Sequence, residues 1–339
     1  MCGVFLTTRP DEFPFRILDE AAWMLSHRGP DAQATLSMNP VGLAHTRLQV
    51  IGLGPVGAQP LVSSDGSRAL VFNGEIVNYL ELSRSLGEQH TSDTRLLFRI
   101  LELGNLELLG ALRGMFAFAY WDAESGVVIA GRDRYGIKPL FALHHKTCGL
   151  SLASEPAVLM RHPDGRKIDP LGMVHFLAEG HLGQSRTLLK DVHKIAPGSI
   201  RRWHVDARGR ATELPTMNLP RGSWQEMGLT PALADSVKAH LVADVDVGVF
   251  LSGGVDSSIV TALMVRNHSQ RIKTFSLGFD EREFDEASHA SEVARFLGTD
   301  HTVINIEPNP ELILDHLVFV RRFVVDERHV FLQGFIIVI

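Results

Sequence analysis

The hydrophobic pattern of this chain changes its period once, and that change sets how many folding units it can form and of what kind. Over residues 3–203 apolar residues come in short β-prone runs bounded by turn residues, with few long helical stretches. Runs 3–7, 42–47, 68–72, 115–121 and 127–131 predict strands, and 76–85 and 93–103 have helical spacing. Segregated strands and helices predict an α+β unit over 2–205. The stretch 201–228 is rich in Arg, Pro and Gly without apolar periodicity, which predicts a linker, placed at 206–228. Beyond it a helix at 231–241, a strand at 247–251, a helix from Val255, a strand at 274–278, a helix from Asp285 and a strand near Thr302 alternate. Such alternation predicts an α/β parallel sheet, here a partial one over 229–316. Residues 317–339 break the pattern: apolar and β-prone, interrupted mainly by Arg321, Arg322, Asp326, Glu327, Arg328 and His329. The abrupt change reads as an out-of-frame or truncated end, and an exposed 331–339 would be an aggregation hazard.

With 339 residues, 45% hydrophobic and 21% charged, the chain can bury two cores. A formal net charge of −6 gives no footprint for nucleic acid or an anionic membrane, and leaves small-molecule chemistry. Cys2 and Cys148 are the only cysteines, so no disulfide framework is expected, and a reducing, cytoplasmic setting fits. The N-terminus reaches Arg9, Pro10 and Asp11 too soon for a signal peptide, and 331–339 is too short to span a membrane.

Cys2 precedes Gly3 at the start of the first β-prone run. A thiol needs a base to become a nucleophile. Removal of Met1 would supply one on the same residue, an α-amine with an ordinary pKa of about 7.7–8.0. Five further blocks follow in order: His27-Arg28-Gly29-Pro30-Asp31, Arg47-Leu48-Gln49-Val50-Ile51, Phe72-Asn73-Gly74-Glu75-Ile76, Ser92-Asp93-Thr94, and the run from Arg132 to Leu140. Together with Cys2 they resemble the class II glutamine amidotransferases and, within them, the glutamine-hydrolysing asparagine synthetases. The resemblance implies a four-layer sandwich of the N-terminal nucleophile hydrolase type. It implies Cys2 as nucleophile, with Asn73 and Gly74 stabilising the tetrahedral oxyanion. Arg47 would clamp the glutamine carboxylate, Asp93 and Glu75 the ammonium, and Leu48, Gln49, Val50 and Ile51 would line the site. Arg28, Asp31 and Arg134 are read as structural. Val77, Gly52 and Arg95 depart from the family's usual Tyr, Asp and Glu, and none removes an assigned group.

Leu251-Ser252-Gly253-Gly254-Val255-Asp256-Ser257-Ser258 follows an apolar strand and opens a helix, a place where backbone N–H groups and serine hydroxyls can meet a phosphate. It lacks the Gly-Lys-Ser/Thr ending of a Walker A loop. It resembles the signature of ATP pyrophosphatases, with Thr274 to Phe279, Phe284 to Ala287 and Gly298 to His301 continuing the synthetase pattern. The resemblance implies ATP on Leu251, Ser252, Gly253, Gly254, Asp256, Ser257 and Leu277, with Mg²⁺ at Asp256. Phe284 to Glu286 alone is read as a helix start, and His301 as a satisfied polar residue. The reaction implied is glutamine hydrolysis at Cys2 feeding ammonia to an aspartate activated by ATP as an acyl-adenylate. A glutaminase without synthetase activity, and an amidotransferase for another carboxylate, stay open. So does the oligomeric state, a homodimer included.

Overall fold

In the computed structural model, residues 1–13, 16–220, 228–279, 286–306 and 335–338 are described. They fall into two compact units, Met1–Gly222 and Ser223–Ile339.

The first unit runs β1 (Gly3–Thr7), α1 (Ile17–Met24), β2 (Ala32–Met38), β3 (Val41–Arg47), β4 (Leu61–Val62), β5 (Arg68–Ile76), α2 (Tyr79–Ser85) and α3 (Asp93–Glu102). It continues with β6 (Gly114–Asp122), β7 (Val127–Arg132), β8 (Phe141–His144), β9 (Leu150–Ala153), α4 (Pro156–Leu159), α5 (Pro170–Glu179), β10 (Val192–Lys194), β11 (Ser199–Val205) and β12 (Ala211–Asn218). Two six-stranded sheets result, in the orders β10-β8-β9-β1-β3-β2 and β12-β11-β7-β6-β5-β4, with antiparallel pairings.

β1 is buried on both faces, which is why Gly3–Thr7 reads as a continuous apolar run and not an alternating one. Val4 and Leu6 face the second sheet, packing with Val71, Ala119, Trp121 and Trp203, while Phe5 packs with Ile17, Ala21 and Leu25 on the α1 side. α3 covers the other sheet through its contact with β5, with Leu96, Leu97, Ile100 and Leu101 buried. Helix, sheet, sheet, helix is the four-layer sandwich that the resemblance implies.

Two boundaries differ from the sequence reading. Ile76 closes β5 instead of opening a helix, because β5 pairs with β6 through to Ile76↔Gly114 and Val77 N–H continues to the Arg113 carbonyl. Part of the expected linker 206–228, residues 211–218, is β12, an edge strand paired with β11. Its side chains are exposed or half-buried, so no apolar periodicity marked it.

The second unit comprises α6 (Leu229–His240), β13 (Asp246–Phe250), α7 (Val255–Asn267), β14 (Lys273–Phe279), α8 (Ala287–Leu297), β15 (Asp300–Ile306) and β16 (Phe335–Val338). The strands are parallel, in the order β15-β14-β13-β16. The expected α/β alternation is therefore present. Phe284, Asp285 and most of 317–339 lie outside the described residues. From that tail 335–338 forms β16, with Val247 opposite Ile336. Among the described residues no helix is long and apolar enough to cross a membrane.

Candidate active site

Cys2 stands at the mouth of β1, and its main chain is held at both ends. Its nitrogen donates to Asn73 Oδ1 at 3.0 Å, and its carbonyl accepts from Arg28 Nε at 3.0 Å. Arg28 is steadied by Glu155 (3.1 Å), which also meets His27 Nε2 at 2.8 Å. Gly3 must lack a side chain: a Cβ would sit 2.5 Å from Thr46 Oγ1 and 2.6 Å from Leu25 Cβ. Thr46 instead accepts from the Gly3 N–H at 3.1 Å and donates to the Leu25 carbonyl at 2.9 Å.

Sγ of Cys2 accepts from the Leu48 N–H at 3.4 Å. Burial pushes the thiol up from its ordinary value, and the Leu48 N–H, the amino terminus and Arg47 pull it back. Burial also lowers the α-amine of Met1 to about 6.

Asn73 is 1% exposed, and its Nδ2 has no hydrogen-bond partner among the described residues. An unmet buried donor costs roughly 1–3 kcal/mol, so a ligand oxygen that satisfies it recovers that cost. Gly74 follows on β5, where a Cβ would run into the Met115 carbonyl and Phe116 of β6.

Ser92 caps α3 by accepting from the Arg95 N–H at 3.3 Å, which frees Asp93 from capping. Asp93 reaches back instead to the Ile76 N–H (3.1 Å) and holds its own Thr94 N–H (2.7 Å). Burial, with the charge of Glu75 adding, raises its carboxyl to about 7. Arg47 is buried, and its guanidinium donates to main-chain carbonyls of Gly52 and Gly54, the latter at 2.5 Å. Gln49 ties the same loop, donating its N–H to Asp31 and accepting from the Gly54 N–H, both at 2.7 Å. With the loop drawn in, the cleft lined by Cys2, Arg47, Val50, Ile51, Gln59 and Asp93 is about 20 Å³, room for a water and not for an amino acid.

In the second unit Gly253 takes a φ of +80°, and a Cβ there would lie 2.8 Å from the Ala290 nitrogen and from His289 Cβ of α8. Ser252 and Ser257 hydroxyls are 3.0 Å apart, the Gly254 N–H donates to Ser252 Oγ at 3.3 Å, and Ser258 Oγ is buried without a partner among the described residues. Asp256 is exposed in the first turn of α7. Leu277 is 41% exposed, whereas the Leu251 side chain is buried against Ala290 and Ala294, so only its main chain is left to meet a ligand.

A family model described as a glutamine amidotransferase domain matches residues 1–213. The chain belongs to the glutamine amidotransferase family. A second model, described as asparagine synthase, matches residues 228–325. Similar amidotransferases include an asparagine synthetase [glutamine-hydrolyzing] of Bacillus subtilis, 34% identical over 296 residues, covering 84% of this chain and 46% of the relative. A putative asparagine synthetase of Mycobacterium tuberculosis is 32% identical, covering 83% of this chain and 47% of its own length. Asparagine synthetase B of Escherichia coli is 30% identical, at 90% and 54%. The chain spans about half the length of the curated relatives it matches. Among solved structures, an allosteric regulatory enzyme of purine biosynthesis aligns with a TM-score of 0.48 at 16% identity, over 90% of this chain and 80% of that one.

Within this amidotransferase unit Cys2, Arg47, Leu48, Val50, Ile51, Gly74 and Asp93 line one cleft and Asn73 bonds the Cys2 nitrogen beside it, whereas Gln49 and Glu75, also singled out from sequence, are not among the residues lining it. Sequence reasoning missed Arg28 as the clamp on Cys2, Thr46, Gln59, whose Oε1 accepts from the Phe72 N–H at 2.6 Å, and Lys138. Lys138 is buried with its ammonium near Glu75 and Cys2, and burial lowers its pKa. The run from Arg132 to Leu140 carried it, but nothing in that run points back to residue 2.

Proposed function

We propose that this chain hydrolyses glutamine at Cys2 and supplies the ammonia to an ATP-activated aspartate, the reaction of a glutamine-hydrolysing asparagine synthetase. The observation that carries the first half is the bond from the Cys2 nitrogen to Asn73 Oδ1, with Nδ2 of the same amide unpaired. Once Met1 is removed, that nitrogen is an α-amine and takes the thiol proton. Sγ adds to the amide carbon of glutamine, and the oxyanion meets Asn73 Nδ2 and the Gly74 N–H. Collapse expels ammonia, which leaves with the proton from the α-amine, and water then hydrolyses the thioester to glutamate. Arg47 turns from the Gly52 and Gly54 carbonyls to the glutamine carboxylate, while Asp93 and Glu75 hold the ammonium.

The synthetase half rests on the loop 252–257. The unpaired Ser258 hydroxyl at the start of α7 fits a phosphate site, with Ser252, Gly254 and Ser257 as donors. Asp256, exposed on the first turn of α7, fits Mg²⁺, which binds through few carboxylates and the phosphates of its nucleotide. The ion would offset charge on the departing pyrophosphate. The reading includes a cytoplasmic enzyme, in keeping with two free cysteines, and a homodimer as the assembly to test by light scattering.

Pyrophosphate release from ATP, Mg²⁺, aspartate and ammonium tests the synthetase half without Cys2. Aspartate-dependent release is expected. Its absence in a folded chain that still converts glutamine to glutamate would reduce the function to a glutaminase.

A further inference from the structure

The amidotransferase unit gathers a second set of functional side chains that shares no residue with the Cys2 cleft. We propose that Glu12, His145 and His162 form a site for a transition-metal ion of the zinc class. Glu12 ends the 3-10 turn after β1, His145 follows β8, and His162 lies beyond α4. Glu12 Oε2 is 2.9 Å from His145 Nδ1 and 3.6 Å from His162 Nε2, and all three atoms lie within 4.8 Å of one another. A tetrahedral zinc with bonds of about 2.0–2.1 Å sets its ligand atoms about 3.3 Å apart, a spacing those two distances bracket.

The surroundings are those of a built site. Both rings are buried, which favours the neutral imidazole that a metal needs. They stack at 4.0 Å with an interplanar angle of 21°, and Phe13 presses edge-on to both. His145 Nε2 meets Ser151 Oγ at 2.8 Å, and Ser151 donates on to Thr7 Oγ1 at 2.8 Å. That relay fixes the tautomer with Nε2–H outward and Nδ1 free for the ion. Arg9 Nη2 holds the other Glu12 oxygen at 2.9 Å. His162 Nδ1 now accepts from the Asp164 N–H at 3.2 Å, and the Asp164 carboxylate is 3.8 Å away. A metal on Nε2 puts the proton on Nδ1, so loading swings the ring from that amide to that carboxylate. Thr147, exposed, donates to Glu12 Oε2 at 2.7 Å and marks the side from which water supplies the fourth ligand.

The test uses the full chain carrying Cys2→Ser and Cys148→Ser, so that no thiol competes, stripped with chelator and titrated with zinc chloride by calorimetry. One zinc per chain is expected, with a higher melting temperature when loaded. Cobalt in place of zinc should show the visible absorption of a four-coordinate ion. Asp164→Asn should weaken binding about tenfold, and His162→Gln or Glu12→Gln by more. No zinc retained by the double-serine chain overturns the proposal without recourse to any cluster variant. Equal retention by His162→Gln and Glu12→Gln overturns it as well. Neither result bears on glutamine hydrolysis.

Discussion

The Cys2 nitrogen and the Asn73 carboxamide share one 3.0 Å bond, and through it a single side chain both orients the amine and keeps a donor free. Asn73→Ala removes both roles. It should lower kcat for glutamate release about 10²–10³-fold, the range for loss of one oxyanion donor. A loss below tenfold, with melting unchanged, would place the oxyanion elsewhere.

On the proposed reading, Asp93 should give the glutaminase step a pH limb. Its carboxyl is raised to about 7, so it is ionised above that pH and neutral below it. An ammonium ligand is held only by the ionised form. kcat/KM for glutamine should therefore fall as pH drops through about 7, and Asp93→Asn should abolish that limb while raising KM. A limb that persists in the variant belongs to another group.

To hold the glutamine carboxylate as proposed, Arg47 would exchange the Gly52 and Gly54 carbonyls for it. Lysine cannot reproduce the paired geometry, so Arg47→Lys should raise KM for glutamine about tenfold or more with a smaller change in kcat. Steady-state kinetics with glutamine decide this, and an unchanged KM would leave the guanidinium as a strut for its own loop.

Gly74→Ala forces a methyl group against the Met115 carbonyl of the neighbouring strand. Overpacking of this kind costs about 1–3 kcal/mol and should lower the melting temperature of the first unit by several degrees. A wild-type melting curve would mean that β5 and β6 separate more easily than their register implies.

How much was legible beforehand depended on how each residue advertises itself. β1, β3, β6 and β7 have buried apolar runs and were readable, and so was the strand and helix alternation of the second unit. β12 and the exposed β2 carry few buried apolar residues, so only backbone pairing reveals them. α3 was visible from its spacing, yet that Ser92 caps it and so releases Asp93 was not. The cleft residues were legible as blocks in order. Arg28 was read as structural because an ion pair explains it, and Glu155 supplies one, while its bond to the Cys2 carbonyl leaves no mark in sequence. The grouping of Glu12 with His145 and His162 depends on three segments far apart in the chain and has no local signature.

β1 has a consequence for the timing of biosynthesis. Its neighbours are β3 and β9, and its pairing with β9 joins Phe5 to Ala153, so the strand cannot be enclosed until more than half of the first unit has emerged. At about 5–20 residues per second that takes roughly 8–30 s. In the finished fold the Met1 side chain is exposed, but the peptide bond to be cut leads directly into the Asn73 and Arg28 contacts. With Cys2 as the nucleophile we propose, Met1 is most accessible to an aminopeptidase while the chain is nascent, before β9 closes over β1.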